Sequence, residues 1–168
     1  KGGLSALKEI KLEVGVPVLP QLCQRVADAN EAIEKLGGKA GSEIKYDGTR
    51  VALHIDRNKK SNINESLQKS FFEHEKNIPF VKTYTRNLEE STNMFPDLIK
   101  YSMDFLDCEN AIIDGEAVGI NIKTGEMIPF QETSQRKRKH GIAEKIKKIP
   151  LKYFAFDLLY LNGKSLLL

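Results

Sequence analysis

Residues 153–164 read YFAFDLLYLNGK, an aromatic and apolar run of strand length that stops at Asn162-Gly163. An Asn-Gly pair between two extended runs favours a tight turn, and a tight turn folds a strand back on its own neighbour. Any sheet built at that point is antiparallel. Similar signals recur upstream. Phe80–Thr85 has strand character, and Asn110–Ile122 alternates like a strand with a kink at Asp114-Gly115. Ser42–Tyr46 and Arg50–Asp56 flank Asp47-Gly48-Thr49, whose residues suit a tight turn and predict a strand pair. Helical signals lie between these runs. Asp28 reads as an N-cap for Ala29–Leu36, with Gly37-Gly38 as the stop, and Leu98–Leu106 has apolar residues at helical spacing. The polar stretch Arg57–Pro79 begins as a loop, with a surface helix predicted over Glu65–Lys76. Strands interspersed with helices and joined by short turns predict an α+β domain, with antiparallel sheets flanked by helices.

A chain of 168 residues suits one domain. Residues 1–20 read as a leader or linker, broken into extended backbone by Pro17 and Pro20. No stretch approaches the roughly 18 uninterrupted apolar residues of a membrane span. Cys23 and Cys108 form neither a C-x-x-C pair nor a disulfide framework, which fits a reduced intracellular compartment, cytoplasm and nucleoid or nucleus. The net charge of +3 is a weak pointer to nucleic acid, but its distribution says more. Gln135–Lys148, QRKRKHGIAEKIKK, holds a single acid among its bases. Such a run is a solvated face or a contact for backbone phosphates. His54, His74 and His140 share no metal-ligand spacing.

One stretch is crowded with charge. Glu43–Arg50, EIKYDGTR, places two acids and two bases in eight residues, with Lys45 between Ile44 and Tyr46. A lysine wanted only for solubility belongs on a solvated face. The K-Y-D-G-T-R run resembles the signature K-x-D-G-x-R of the nucleotidyltransferases, shared by ATP-dependent ligases and mRNA-capping enzymes. Three more blocks follow in that family's order: YTRN at Tyr84–Asn87, DGEAV at Asp114–Val118 and FAFDLLYLNG at Phe154–Gly163. PFQETSQRKRK at Pro129–Lys139 resembles the eukaryotic and archaeal DNA ligases and not capping enzymes, and VGVPVLPQL resembles the leader of their catalytic domain.

The resemblance implies that Lys45 attacks the α-phosphorus of ATP and carries AMP as a covalent phosphoramidate. A lysine amine in water titrates at about 10.4, so drying it and setting a cation beside it both favour the nucleophilic form. Lys45 is accordingly expected in an apolar strand, fixed and partly dry, with Glu43 on the same strand face. The resemblance further gives Glu43 to the adenine, Arg50 and Arg86 to phosphate or ribose, and Glu116 to the ribose hydroxyls and to a Mg²⁺ ion. It gives Phe156 to stacking on the base, with Phe154 on the same face as core. Asp114 reads as a turn former. Arg136, Lys137, Arg138 and Lys139 would face DNA or brace the nucleotide domain.

The expected architecture is thus a nucleotidyltransferase (ATP-grasp-like) core, with residues 21–168 as the N-terminal part of an adenylation domain. The family's last two lysine-bearing blocks, its OB-fold and its DNA-binding domain have no match in the sequence. The resemblance implies a monomer acting on nicked double-stranded DNA, in replication, repair and recombination, with a sliding-clamp partner reached through other regions. It also implies weak or no sealing by this chain alone. Two alternatives stay open: a non-catalytic remnant that binds nucleotide or DNA, and an RNA ligase or capping-type nucleotidyltransferase.

Overall fold

Alternation in Val51–Ile55 decides the centre of the fold. The computed structural model describes residues 11–61, 63, 65–75, 77–134, 146 and 148–167. Thr49–Lys60 forms β1, in which Val51, Leu53 and Ile55 turn to one face and Arg50, Ala52 and His54 to the other. Four strands join it: β2 (Pro79–Tyr84), β3 (Asn110–Gly119), β4 (Leu151–Leu161) and β5 (Lys164–Ser165). The order is β2-β1-β3-β4-β5 and each neighbouring pair is antiparallel. Asn162 and Gly163, at φ 47° and 84°, make the expected turn into β5.

Four α-helices are described: α1 (Ala29–Lys35), α2 (Glu65–Phe71), α3 (Pro96–Phe105) and α4 (Phe130–Thr133). Asp28 caps α1 as expected, accepting the Glu31 N–H at 2.9 Å, while the Glu31 carboxylate takes the Ala27 N–H. The principal core lies between the sheet and α3. Leu53, Ile55, Val81 and Ile113 pack with Phe72 and Ile99, and Val51, Ala117 and Leu151 with Phe95 and Leu98. Arg57 closes the far end of α3, donating to the carbonyls of Ser102, Met103, Leu106 and Cys108. A cation there answers both the orphan carbonyls and the negative pole of the helix.

Among the described residues, the leader covers one end of the opposite face. Val14 of the leader packs on Ile112 and Leu159, with Leu12, Phe80 and Tyr160 around them. His54 is fully buried beneath it, edge-on to Tyr84, and its Nδ1 accepts the Gly15 N–H at 3.0 Å. Beyond this patch the same face carries Arg50, Asp114 and Glu116, with Val118 buried at its other end.

Several elements differ from the sequence reading. Ser42–Tyr46 is not a strand: the β1–β3 ladder begins only at Thr49, opposite Ala117, and past that point Ile128 and Thr133 take up the β3 edge by bonding Gly119. β1 instead runs on through Arg57–Lys60, expected as loop: the Arg57 N–H bonds the Glu109 C=O, residues 57–59 form an irregularity in the β2 register, and pairing resumes at Lys60 opposite Pro79. The helix in the polar stretch stops at Phe71, and Phe72 dives into the core. Asp114 is no turn former but sits in the middle of β3. The kink expected beside it does not break β3, whose register with β1 runs unbroken from Asn110 to Ala117; the irregularity lies across from it in β4. The β3–β4 register skips Phe156 and Leu159, each the extra residue of a bulge. Both cysteines are free, and no described helix is long and apolar enough to cross a membrane.

Burial pushes the His54 imidazole down to about pKa 4 from an ordinary 6.5. The unfolded chain therefore takes up a proton below pH 6.5 that the folded protein refuses until about pH 4, so His54 costs stability as pH falls through that window. By pH 4 the loss from this residue is about 3 kcal/mol. Urea unfolding of the wild type and of His54→Phe at pH 7 and pH 4 should show the smaller acid loss in the variant. Equal losses would rule out a neutral, buried His54.

Candidate functional site

Where the leader stops covering the sheet, acids and bases replace apolar residues. Arg50 on β1 lies directly opposite Glu116 on β3, and Asp114 is opposite Ala52. The Arg50 guanidinium clamps the buried Asp114 carboxylate, with Nε 3.0 Å from both oxygens and Nη2 donating to Oδ2. Such a two-point, charge-assisted contact fixes the plane of the guanidinium as well as its position. Phe156 then lies across it, with the guanidinium carbon 5.5 Å from the ring centroid. The bulge at Phe156 turns the ring out of the sheet, and it is left 42% exposed.

Glu116 is half-buried and receives the Gly48 N–H. Burial pushes its carboxyl up from the ordinary range, against the pull of Lys45, Arg50 and that N–H, and Asp114 adds to the rise. The Gly48 bond depends on a close approach. A Cβ at Gly48 would stand 2.6 Å from the Ala117 carbonyl oxygen and 2.9 Å from Glu116 Cγ, so no side chain fits there. Asp47, one residue earlier, accepts the Phe130 N–H at 3.3 Å and ties α4 to the same corner.

Lys45 is not held as expected. It is exposed, in a segment that belongs to no strand, and Glu43 shares that segment and not a strand face. The segment is anchored by the next residue, since Tyr46 stacks on Phe154 with ring centroids 4.0 Å apart and planes 16° apart. Phe154, read from the sequence as core, is thus a prop for the lysine's neighbour. Arg86 stands on a turn closed by the bonds Thr85 N–H to Glu89 C=O and Leu88 N–H to Thr85 C=O. Leu88 at φ 65° completes that turn in the left-handed region, a conformation costing about 1–2 kcal/mol for a residue with a Cβ.

These segments converge on one groove of about 840 Å³, lined by Glu43, Lys45, Arg50, Arg86, Glu116 and Phe156. All six residues singled out in the sequence as lysine, nucleotide or metal ligands are brought together. Gln21, Leu22 and Cys23, which follow the leader directly, complete its wall, together with Asn87 and Phe130. Arg136, Lys137, Arg138 and Lys139 lie outside the described residues. Among the described residues no group of three His, Cys, Asp or Glu side chains is placed to hold a metal ion. Two contributors escaped the sequence reading. Asp114 had a signal, being an acid amid apolar residues in a strand, but its partner lies 64 positions away. Gln21 and Leu22 close the VGVPVLPQL stretch noted for its resemblance, but nothing in it marked them as lining a groove.

Two substitutions test this framework. Gly48→Ala drives a methyl group into the Ala117 carbonyl, and chemical denaturation should show a loss of about 1–3 kcal/mol. Asp114→Asn removes the charge that Arg50 grips and should cost about 1–3 kcal/mol in the same assay. Wild-type stability in either variant would contradict the packing described.

Comparison with known proteins extends this picture. A family model described as "ATP dependent DNA ligase domain" matches residues 20–78 and 71–168. A protein named as a probable DNA ligase from Dictyoglomus turgidum is 42% identical over 166 residues, covering 99% of this chain and 25% of that protein. The DNA ligase of Caldivirga maquilingensis is 38% identical over 166 residues, 99% of this chain and 24% of that one. The chain thus spans about a quarter of the length of these relatives. The ligase domain from M. tuberculosis LigD superposes on 73% of this chain, and 30% of its own, with a TM-score of 0.46 and 23% identity.

Proposed function

The chain belongs to the ATP-dependent DNA ligase domain family, and on that footing we propose that it moves AMP from ATP onto Lys45. We assign residues 21–168 to the adenylation domain and 1–20 to its leader. The observation that carries this reading is convergence. Lys45, Arg50, Arg86, Glu116 and Phe156 come from well-separated parts of the chain and line one groove.

In this reading Phe156 offers the base a flat apolar face, stiffened from behind by Arg50. Arg86, free of strand pairing at the tip of its turn, is available to phosphate. The Lys45 Nζ lone pair forms the bond to the α-phosphorus as the bond to the bridging oxygen breaks, and pyrophosphate leaves. Fixed positive charge around the phosphates stabilises the charge that this step spreads over their oxygens. Because Lys45 stands exposed, the drying that favours a neutral amine is supplied by the nucleotide itself as it fills the groove.

A magnesium ion fits this donor set. One half-buried carboxylate, Glu116, suits an ion that keeps most of its waters and is bound mainly through substrate phosphates. When bound, that ion neutralises phosphate charge. Glu116 is the residue that would hold it, and because burial raises its carboxyl above the ordinary range, a proton would displace that contact as pH falls.

For the longer protein we propose the full sequence of ligation. AMP passes from Lys45 to the 5′-phosphate at a nick in double-stranded DNA, and the 3′-hydroxyl then displaces it. Family membership supports that substrate. A monomeric enzyme, with any sliding-clamp contact made by other segments of the longer protein, completes the proposal.

The test is incubation with α-labelled ATP and Mg²⁺, followed by denaturation, with GTP and Lys45→Ala in parallel. Label that survives denaturation with ATP, and is absent from Lys45→Ala, is expected. Label persisting in Lys45→Ala, or preferred from GTP, would refute the assignment. Phe156→Ala should weaken ATP binding about tenfold, the loss of one base–aromatic stack.

A further inference from the structure

We propose that His54 and Tyr84 are positioning residues, which hold the segment Val14–Cys23 as a strap whose far end forms a wall of the groove beside Lys45. This rests on the adenylation reading above and names what shapes its pocket.

The anchor is the Gly15 peptide, gripped from both sides. Its N–H donates to His54 Nδ1 at 3.0 Å, and its carbonyl accepts the Tyr84 hydroxyl at 2.5 Å. The two partners sit on adjacent strands, β1 and β2, and their rings meet edge to face with centroids 4.9 Å apart. Val14 is buried beside them against Ile112 and Leu159. Gly15 itself has φ 100°, and a Cβ there would stand 3.0 Å from the Phe80 ring. The peptide can take this position only without a side chain.

From Gly15 the chain has little freedom. Pro17 and Pro20 fix their own φ angles and bias Val16 and Leu19 to extended backbone. A stiff, extended segment transmits the position of its anchored end to its other end. That other end is Gln21, Leu22 and Cys23, in the wall shared with Glu43, Ile44 and Lys45. The lysine segment has no strand partner of its own. Its setting depends on the Tyr46–Phe154 stack on one side and on the strap on the other. Neither Tyr84 nor Gly15 lines the groove. Tyr84 is joined to Thr85 and Arg86, which do, so Gly15→Ala, which leaves the sequence of β2 unchanged, is the variant that separates the strap from that second path.

Tyr84→Phe removes a single hydroxyl and leaves the ring in place. Gly15→Ala disturbs the anchor from the strap side. Each is measured in two ways: by amide hydrogen exchange over residues 12–23, and by equilibrium binding of α,β-methylene-ATP, which fills the site without reacting. The expected result is faster exchange in that segment together with binding weakened about fivefold, the scale of one lost hydrogen bond. In labelling with ATP, the loss should fall on KM, with kcat within about twofold. Faster exchange with unchanged binding would overturn the proposal, as would weaker binding with unchanged exchange, or no change in either. Absence of analogue binding by the wild type would overturn the adenylation reading instead, and the strap's role with it.

Discussion

A missing methyl group sets the geometry of this site. At Gly48 the backbone runs so close to β3 that the Ala117 carbonyl and the Glu116 side chain occupy the volume a Cβ would need. That approach aims the Gly48 N–H at Glu116, starts β1 in register at Thr49, and leaves Lys45 just outside the ladder. A larger residue would lift the lysine segment away from the acid and shift the pairing below it. The spacing between Lys45 and Arg50 is therefore a packing requirement as much as a chemical one.

The strands were legible wherever alternation was backed by a partner. β2 and β4 fell within a residue or two of their expected bounds, and the Asn162-Gly163 turn named its own geometry. Ser42–Tyr46 shows the limit. Its side chains alternate as well as those of many strands, yet no strand pairing among the described residues includes it. Pairing is a property of two segments, and a single sequence displays only one. The reverse error occurred at Arg57–Lys60, where polar side chains suggested a loop although the backbone stays extended and rejoins β2 at Lys60.

The groove was legible in membership and not in mechanics. The six residues expected to meet do line it, because short motifs fix residue types at turns and strand ends. The forces that arrange them were hidden. Arg50 is oriented by Asp114, Tyr46 by Phe154, and the leader by His54 and Tyr84. Each of these contacts joins positions far apart in the chain, where local pattern carries no signal. The expected dry setting for Lys45 failed for the same reason, since it was inferred from a strand that does not form.

The long reach of the Arg50–Asp114 contact also bears on when the site comes into being during folding. The two residues are 64 positions apart, and the β1–β3 ladder that brings them together is a non-local pairing. Closing so long a loop is slow relative to forming α1 or the β4–β5 hairpin, since chain entropy is spent before any contact rewards it. A nascent or partly folded chain would possess its helices and its terminal hairpin while Arg50 and Glu116 were still unconnected. The groove is thus assembled late, and its competence to bind a ligand reports on completion of the sheet.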